Sequence, residues 1–121
     1  MSNRILCTED DLDTREMIVV LLENSGYEVV CANNAEQAYS LISTEQFDLL
    51  LLDNWMPGGS GVELVRVVRS AGHSSPIMFY SGAAAAFDKQ EALDAGAQGY
   101  LTKPIGTADL VSEVERLIAG K

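Results

Sequence analysis

Residues 48–53 read Asp-Leu-Leu-Leu-Leu-Asp, an unbroken apolar run with a carboxylate at each end. A strand that exposes one face to solvent alternates apolar and polar residues, and residues 49–52 do not alternate. Such a run is typical of a central strand in a parallel sheet, where helices cover both faces. The run therefore predicts an α/β protein in which Asp53 follows a buried strand.

Strand-like and helix-like segments alternate through the rest of the chain. Gly26 is suited to end the first helix, and Asn34 with Gln37 indicates a capping box at the start of the second. The five β-then-α units predict one domain over residues 1–121, with five parallel strands flanked by five helices. The predicted strands span 5–8, 28–32, 49–52, 76–80 and 99–102. The first predicted helix covers 12–25, and Asn34 opens the second. The third runs from the 57–61 loop to about 70, and the fourth covers about 85–95. The last helix has an apolar stripe of Leu110, Val111, Val114, Leu117 and Ile118.

The composition excludes several classes of partner. The chain has 121 residues and a formal net charge of −10, which opposes binding to nucleic acid or anionic lipid by this domain. No apolar run approaches the roughly 18 residues of a membrane span, and we expect a cytoplasmic protein. Cys7 and Cys31 lack the spacing of a metal or redox motif, so we expect two reduced core thiols.

Polar side chains follow four of the five predicted strands. Glu9 and Asp10 follow the first strand, Asp53 the third, Ser81 the fourth and Lys103 the fifth. Ligands of an open α/β sheet bind beyond the carboxyl ends of its strands. With strand order 2-1-3-4-5, the three carboxylates share one crevice, and Ser81 and Lys103 lie on its far side. Asp11 or Asp13 is expected only to cap the first helix.

These residue types suit magnesium-assisted phosphoryl transfer. Clustered carboxylates repel one another unless a cation neutralises them, and Mg²⁺ prefers oxygen ligands. A carboxylate can attack a phosphoryl group and form an aspartyl phosphate. The ammonium of Lys103 and the hydroxyl of Ser81 could then stabilise the phosphoryl oxygens.

Several motifs in order give the sequence a resemblance to a known family. The motifs are Arg4-Ile5-Leu6 before Glu9-Asp10-Asp11, the segment from Asp48 to Gly58, Gly61-Val62-Glu63-Leu64, residues 76–81, Gly96-Ala97, and Gly99-Tyr100-Leu101-Thr102-Lys103-Pro104. With them the sequence resembles the receiver domains of two-component response regulators, of the chemotaxis-regulator type, over residues 4 to about 119. Such domains have a flavodoxin-like fold.

The resemblance implies a role for each residue of the crevice. Asp53 would accept the phosphoryl group. Mg²⁺ would bind Glu9, Asp10, Asp53 and the backbone carbonyl of Trp55, with Asp10 the more direct ligand of the acidic pair. Ser81 and Lys103 would contact the phosphoryl group.

The resemblance also implies a switch beside the crevice. Tyr100 would turn inward when Ser81 moves toward the phosphoryl group, and the Lys103–Pro104 bond would be cis. Residues 83–86 would lie in a segment that rearranges. The ring of Trp55 would slow the attack of water on the phosphoryl group, whereas the missing methyl at Gly82 would admit water. These effects oppose each other, so the lifetime of the phosphoryl group stays open.

The resemblance further implies the partners. A histidine kinase or a histidine phosphotransfer protein would donate the phosphoryl group, docking near Asp13, Thr14 and Arg15. An unidentified downstream protein would bind the fourth helix, fifth strand and fifth helix. The chain would not be an enzyme beyond autocatalytic phosphorylation and dephosphorylation of Asp53, and whether it forms a homodimer stays open.

Four alternatives compete with this interpretation. A phosphatase with an aspartate nucleophile commonly carries a second aspartate where this chain has Trp55. A flavin-binding module needs a phosphate loop in place of Glu9 and Asp10. The chain could also be a receiver-like module that binds partners without phosphorylation, or a fragment of a longer DNA-binding regulator or hybrid kinase.

Overall fold

Five strands form one parallel sheet, with helices on both of its faces. The computed structural model describes residues 3–56, 59–82, 86–103 and 106–120. The strands are β1 (Arg4–Thr8), β2 (Glu28–Ala32), β3 (Leu49–Leu52), β4 (Trp55–Met56), β5 (Gly59–Ser60), β6 (Ile77–Ser81) and β7 (Gly99–Thr102). The helices are α1 (Leu12–Asn24), α2 (Ala35–Thr44), α3 (Gly61–Ser70), α4 (Ala86–Ala95) and α5 (Thr107–Ala119).

The sheet has the order β2-β1-β3-β6-β7, and all its neighbours are parallel. This confirms the predicted order 2-1-3-4-5 of the five principal strands. The labels differ because β4 and β5 form a separate antiparallel pair, joining Trp55 to Ser60 and Met56 to Gly59. The strand order reverses between β1 and β3, which places a ligand-binding crevice at their carboxyl ends.

The four leucines of β3 connect two hydrophobic cores. Leu50 and Leu52 pack on the face covered by α2, α3 and α4, while Leu49 and Leu51 pack on the face covered by α1 and α5. All four are at most 1% exposed. Because successive side chains of a strand point to opposite faces, a strand buried on both faces must be apolar throughout.

Local interactions confirm where α1 begins and ends and where α2 begins. Asp11 caps α1 by accepting a hydrogen bond from the Thr14 backbone N–H at 2.9 Å. Asn34 caps α2 by accepting from the Gln37 N–H at 2.7 Å. Gly26, with φ +97°, follows α1 in the left-handed conformation that favours glycine.

Several predicted boundaries were wrong by a residue or more. The first strand begins at Arg4, and the fourth principal strand spans Ile77–Ser81 instead of 76–80, because Ser81 pairs with Thr102. The side chain of Gln37 accepts from Asn33 N–H, so the reciprocal bond of a capping box at Asn34 is not made. Residues 59 and 60 form a strand where a loop was predicted, and Pro57 and Gly58 lie outside the described residues.

The last helix confirms the predicted stripe. Leu110, Val114 and Leu117 are buried against the sheet, and Val111 and Ile118 flank them at intermediate burial. Among the described residues, no helix has both the length and the apolar character needed to cross a membrane.

Candidate functional site

Three carboxylates converge where β1 and β3 end. Glu9 and Asp53 are buried, at 3% and 6% exposure, while Asp10 faces solvent. Each of the three can place one carboxylate oxygen within 4.8 Å of the other two. The predicted crevice therefore brings together the three acidic residues named from the sequence. Oxygen donors at this separation fit a divalent cation such as Mg²⁺.

Lys103 joins two of these carboxylates. Its Nζ lies 2.6 Å from Glu9 Oε1 and 3.1 Å from Asp53 Oδ2. The prediction that Lys103 lies on the far side of the crevice is therefore wrong for its ammonium group. Its backbone N–H is held at the end of the sheet by Ser81 O at 2.8 Å, and the long side chain extends from there to Glu9.

Ser81 also contacts Asp53. Its hydroxyl donates to Asp53 Oδ1 at 3.1 Å, on the oxygen that Lys103 does not bind. Each oxygen of Asp53 thus accepts a hydrogen bond from a different strand end. The donors on Ser81 and Lys103 are those that a phosphoryl group on Asp53 would need.

Comparisons with known proteins show the family to which the chain belongs. The model of the response regulator receiver domain family matches residues 5–115. The chain belongs to the response regulator receiver domains. Receiver domains bind Mg²⁺ at an acidic site, and here Glu9, Asp10 and Asp53 form an acidic cluster of suitable geometry.

Individual relatives cover this receiver domain almost completely. The phosphate regulon transcriptional regulatory protein PhoB of Pseudomonas aeruginosa is 36% identical, over 94% of this chain and 51% of its own length. Among solved structures, a CheY-like receiver domain of Methanospirillum hungatei has a TM-score of 0.93 at 28% identity, covering 99% of this chain and 96% of that one. The chemotaxis response regulator CheY4 of Vibrio cholerae has a TM-score of 0.89 at 29% identity, covering 97% and 99%.

The predicted fold is that of the family, and the curated relatives are longer than this chain. The sheet of parallel strands with flanking helices is that of the CheY-like, flavodoxin-like fold. The receiver domain spans about half the length of the curated relatives it matches, which are named as transcriptional regulatory proteins.

Thr8 is a site residue that sequence reasoning missed. Its hydroxyl, on the last residue of β1, accepts a hydrogen bond from the Asp53 backbone N–H at 3.2 Å, and both residues are buried. The contact fixes the backbone from which the Asp53 carboxylate extends. A polar residue at the end of an apolar strand, directly before Glu9, was the available signal.

Burial and ion pairing act in opposite directions on the site's charges. Burial raises the pKa of Glu9, and this effect exceeds the lowering by the hydrogen bond from Lys103. Burial lowers the pKa of Lys103, but its hydrogen bonds with Glu9 and Asp53 more than compensate and leave it raised. The ammonium is therefore fully charged at neutral pH.

Tyr100 links the site to the edge of the sheet. Its ring stacks on Phe79, with centroids 5.6 Å apart and planes inclined by 13°, and the residue is 8% exposed. Burial raises the pKa of its hydroxyl, which a hydrogen bond with Ser81 partly offsets. The ring thus occupies an inward position, and its predicted movement during switching stays a prediction.

The other predicted site features are described only in part. The Trp55 backbone belongs to β4, but its side chain lies outside the description. Pro104 and residues 83–85 lie outside the described residues, so the cis bond and most of the 83–86 segment do too. Gly82 is exposed, and a Cβ placed on it would meet no atom within 4 Å. Its predicted effect on access to the site stays a prediction.

Proposed function

We propose that this receiver domain accepts a phosphoryl group on Asp53, with Mg²⁺ held by Glu9, Asp10, Asp53 and the backbone carbonyl of Trp55. The observation that carries the proposal is the pairing of both Asp53 oxygens. Ser81 donates to one at 3.1 Å, and Lys103 binds the other at 3.1 Å. These two contacts hold a buried carboxylate in a fixed orientation, which suits it to act as a nucleophile.

The transfer is a displacement at phosphorus. An oxygen of Asp53 forms the new P–O bond while the P–N bond of a phosphohistidine donor breaks. The bonding electrons pass to the imidazole nitrogen, which then takes up a proton. The hydroxyl of Ser81 and the ammonium of Lys103, already within hydrogen-bond distance of the carboxylate, turn to the transferred oxygens.

The acidic cluster explains the need for a cation. Three carboxylates and one lysine leave the crevice with a net negative charge that opposes an incoming phosphoryl group. When bound, Mg²⁺ neutralises that charge and the charge on the transferred group. Lys103, which now shares its ammonium between Glu9 and Asp53, is then available to the phosphoryl oxygens.

The output would be a population shift at the edge of the sheet. Ser81 contacts both Asp53 and Tyr100, so movement of its hydroxyl toward the phosphoryl group changes the contacts of the ring. We propose that this alters a surface on α4, β7 and α5 for a downstream protein. The phosphoryl donor is a histidine kinase or a histidine phosphotransfer protein that docks near Asp13, Thr14 and Arg15 of α1.

The domain organisation and location of the protein are also part of the proposal. We propose that residues 1–121 form one receiver domain in the cytoplasm that has no enzymatic role beyond its own phosphorylation and dephosphorylation. Its named relatives are regulators about twice as long, which supports a place in a longer transcriptional regulator. Direct contact with nucleic acid would then belong to another part of that regulator, because the net charge here is −10.

Intact-mass spectrometry tests the proposed function. After incubation with Mg²⁺ and acetyl phosphate, the chain should gain one phosphoryl group, while Asp53→Asn and an EDTA-treated sample should gain none. If no adduct forms, beryllofluoride with Mg²⁺ should still change the fluorescence of Trp55. A chain that shows neither the adduct nor the fluorescence change would be a module that works without phosphorylation.

A further inference from the structure

The two cysteines of the chain lie directly beside each other. Cys7 of β1 and Cys31 of β2 are partners in the parallel pairing of these strands. Both side chains pack in the core on the α1 and α5 side, and each thiol is close enough to the other to shift its pKa. Both cysteines are free and lie in or against the core, as expected from the sequence, and strand pairing adds a proximity that their spacing does not show.

The two thiols differ in access to solvent. Cys7 is 0% exposed, whereas Cys31 is only partly buried. A small polar reagent can therefore reach Cys31 first, and Cys7 is the thiol that lies behind it. This is the arrangement of an attacking cysteine with a resolving partner.

The surroundings of Cys31 also favour its thiolate. The hydrogen bond with Cys7 lowers the pKa of Cys31 to about 7, against the raising effect of burial, and the positive charge of Arg15 assists. Arg15 is held nearby by its hydrogen bond to Asn33 Oδ1 at 3.0 Å, two residues beyond Cys31. The thiolate is the reactive form of cysteine.

We propose that Cys31 and Cys7 form a peroxide-sensitive pair that closes reversibly into a disulfide between β1 and β2. The Cys31 thiolate attacks one oxygen of hydrogen peroxide, the O–O bond breaks, and hydroxide leaves, giving a sulfenic acid. The Cys7 sulfur then attacks the Cys31 sulfur, and the hydroxyl leaves with the Cys7 proton as water. Two thiols and one peroxide yield one disulfide and two waters.

Strand geometry makes this bond feasible but strained. Neighbouring strands lie about 4.8 Å apart, within the roughly 4.4–6.8 Å that a disulfide requires between Cα atoms. Cβ atoms of in-register residues start farther apart than the roughly 3.8 Å a disulfide favours, so closure must draw the strands together. Strained disulfides are readily reduced, so the bond should be reversible and not a permanent brace.

Thiol counting on the whole chain tests the proposal. The reduced protein is treated with equimolar hydrogen peroxide, quenched, denatured and alkylated with N-ethylmaleimide. Intact mass should show no maleimide adduct on the oxidised monomer and two adducts after dithiothreitol. Two adducts on the peroxide-treated sample, covalent dimers on a non-reducing gel, or a sulfinic acid on Cys31 with Cys7 still free would each overturn the proposal.

Three variants test the order of events, with circular dichroism to confirm folding. Cys7→Ala should stop at a sulfenic acid on Cys31 that dimedone captures. Cys31→Ala should leave Cys7 reduced, and oxidation of Cys7 at the parent rate would contradict the assigned order. Arg15→Gln should slow disulfide formation by about two- to threefold at neutral pH, whereas Arg15→Lys should not. An equal rate in Arg15→Gln would refute the role of that charge.

Discussion

Two cations hold carboxylates at opposite ends of the same sheet. At the amino ends of the strands, Arg4 binds Glu28 at 2.9 Å and Glu45 at 2.6 Å. At the carboxyl ends, Lys103 binds Glu9 at 2.6 Å and Asp53 at 3.1 Å. The distances are alike, yet only the second set of residues forms the candidate site.

The two sets differ in burial and in the type of cation. The carboxylates at Glu28 and Glu45 have side chains 57% and 38% exposed, against 2% and 8% at Glu9 and Asp53. Exposed ion pairs contribute little to the free energy of unfolding, whereas buried charges are costly unless they are closely paired or neutralised. Burial thus makes the carboxyl-end set sensitive to any new charge.

The form of the cation adds to that contrast. The Arg4 guanidinium also donates to Gln46 O at 3.2 Å and lies 4.9 Å over the ring of Phe47, so its planar group is fixed in place. The Lys103 ammonium is a compact charge on a flexible stem. Its Nζ also lies 5.5 Å from the centre of the Tyr80 ring. We infer that the flexible stem, which the planar guanidinium of Arg4 lacks, would let this ammonium turn from a carboxylate to a phosphoryl oxygen.

Replacing Lys103 should have the largest effect. Lys103→Gln removes the ammonium that would stabilise the phosphoryl oxygens, so the rate of phosphorylation by acetyl phosphate should fall about 100-fold. Lys103→Arg keeps the charge in a different shape and should retain more activity. Intact-mass time courses give both rates, and a Gln variant as fast as the parent would remove Lys103 from the mechanism.

Gly61→Ala should give the largest loss of stability. A Cβ at Gly61 would lie 2.6 Å from the Phe79 ring and 2.7 Å from the backbone oxygen of Asp53. Overpacking against a backbone atom should lower the free energy of unfolding by about 2–3 kcal/mol, measured in urea. Gly82→Ala is the matched control, since its Cβ enters open space, and should change stability by less than about 0.5 kcal/mol. Equal values would contradict the close approach at Gly61.

Thr8→Val should have a smaller effect on both stability and chemistry. Valine has nearly the same shape but removes the hydroxyl that accepts from the buried Asp53 N–H, at a cost of about 1–2 kcal/mol. The phosphorylation rate should fall severalfold because the backbone of Asp53 is less firmly held. Thr8→Ser keeps the acceptor and should recover the rate, so a Ser variant as slow as Val would mean that Thr8 only fills space.

Arg4→Gln should have the smallest effect. The ion pairs it removes are exposed and at the far end of the sheet, so the phosphorylation rate should match the parent and the urea midpoint should move only slightly. A loss of phosphorylation comparable to that of Lys103→Gln would show that the two ends are not independent.

The sequence predicted the architecture because its patterns are local. Four consecutive leucines, the caps at Asn34 and Gly26, and the stripe on α5 each report on a single segment. The joint position of Glu9, Asp10 and Asp53 was also predictable, since parallel strands align their carboxyl ends. The antiparallel pair of β4 and β5 was not predictable, because two-residue strands carry no periodicity.

Features that depend on pairing between distant segments escaped prediction. The reach of Lys103 to Glu9 depends on a side-chain conformation across two intervening strands. The Thr8 contact to Asp53 and the Cys7–Cys31 pair depend on the register of neighbouring strands. The sequence of a single strand does not show which residue of the neighbouring strand lies opposite. These contacts therefore become visible only in the folded structure.

Locating the phosphoryl group tests the central claim most directly. Asp48 precedes β3 at the Arg4 end, and Asp53 follows it at the Lys103 end. Asp48 is therefore an internal control for the phosphorylation of Asp53. Borohydride reduction of the phosphorylated chain converts a phosphoaspartate to homoserine, which peptide fragmentation by mass spectrometry can place. We predict homoserine at position 53 alone. Homoserine at 48 or 10, or hydroxynorvaline at 9, would contradict the account.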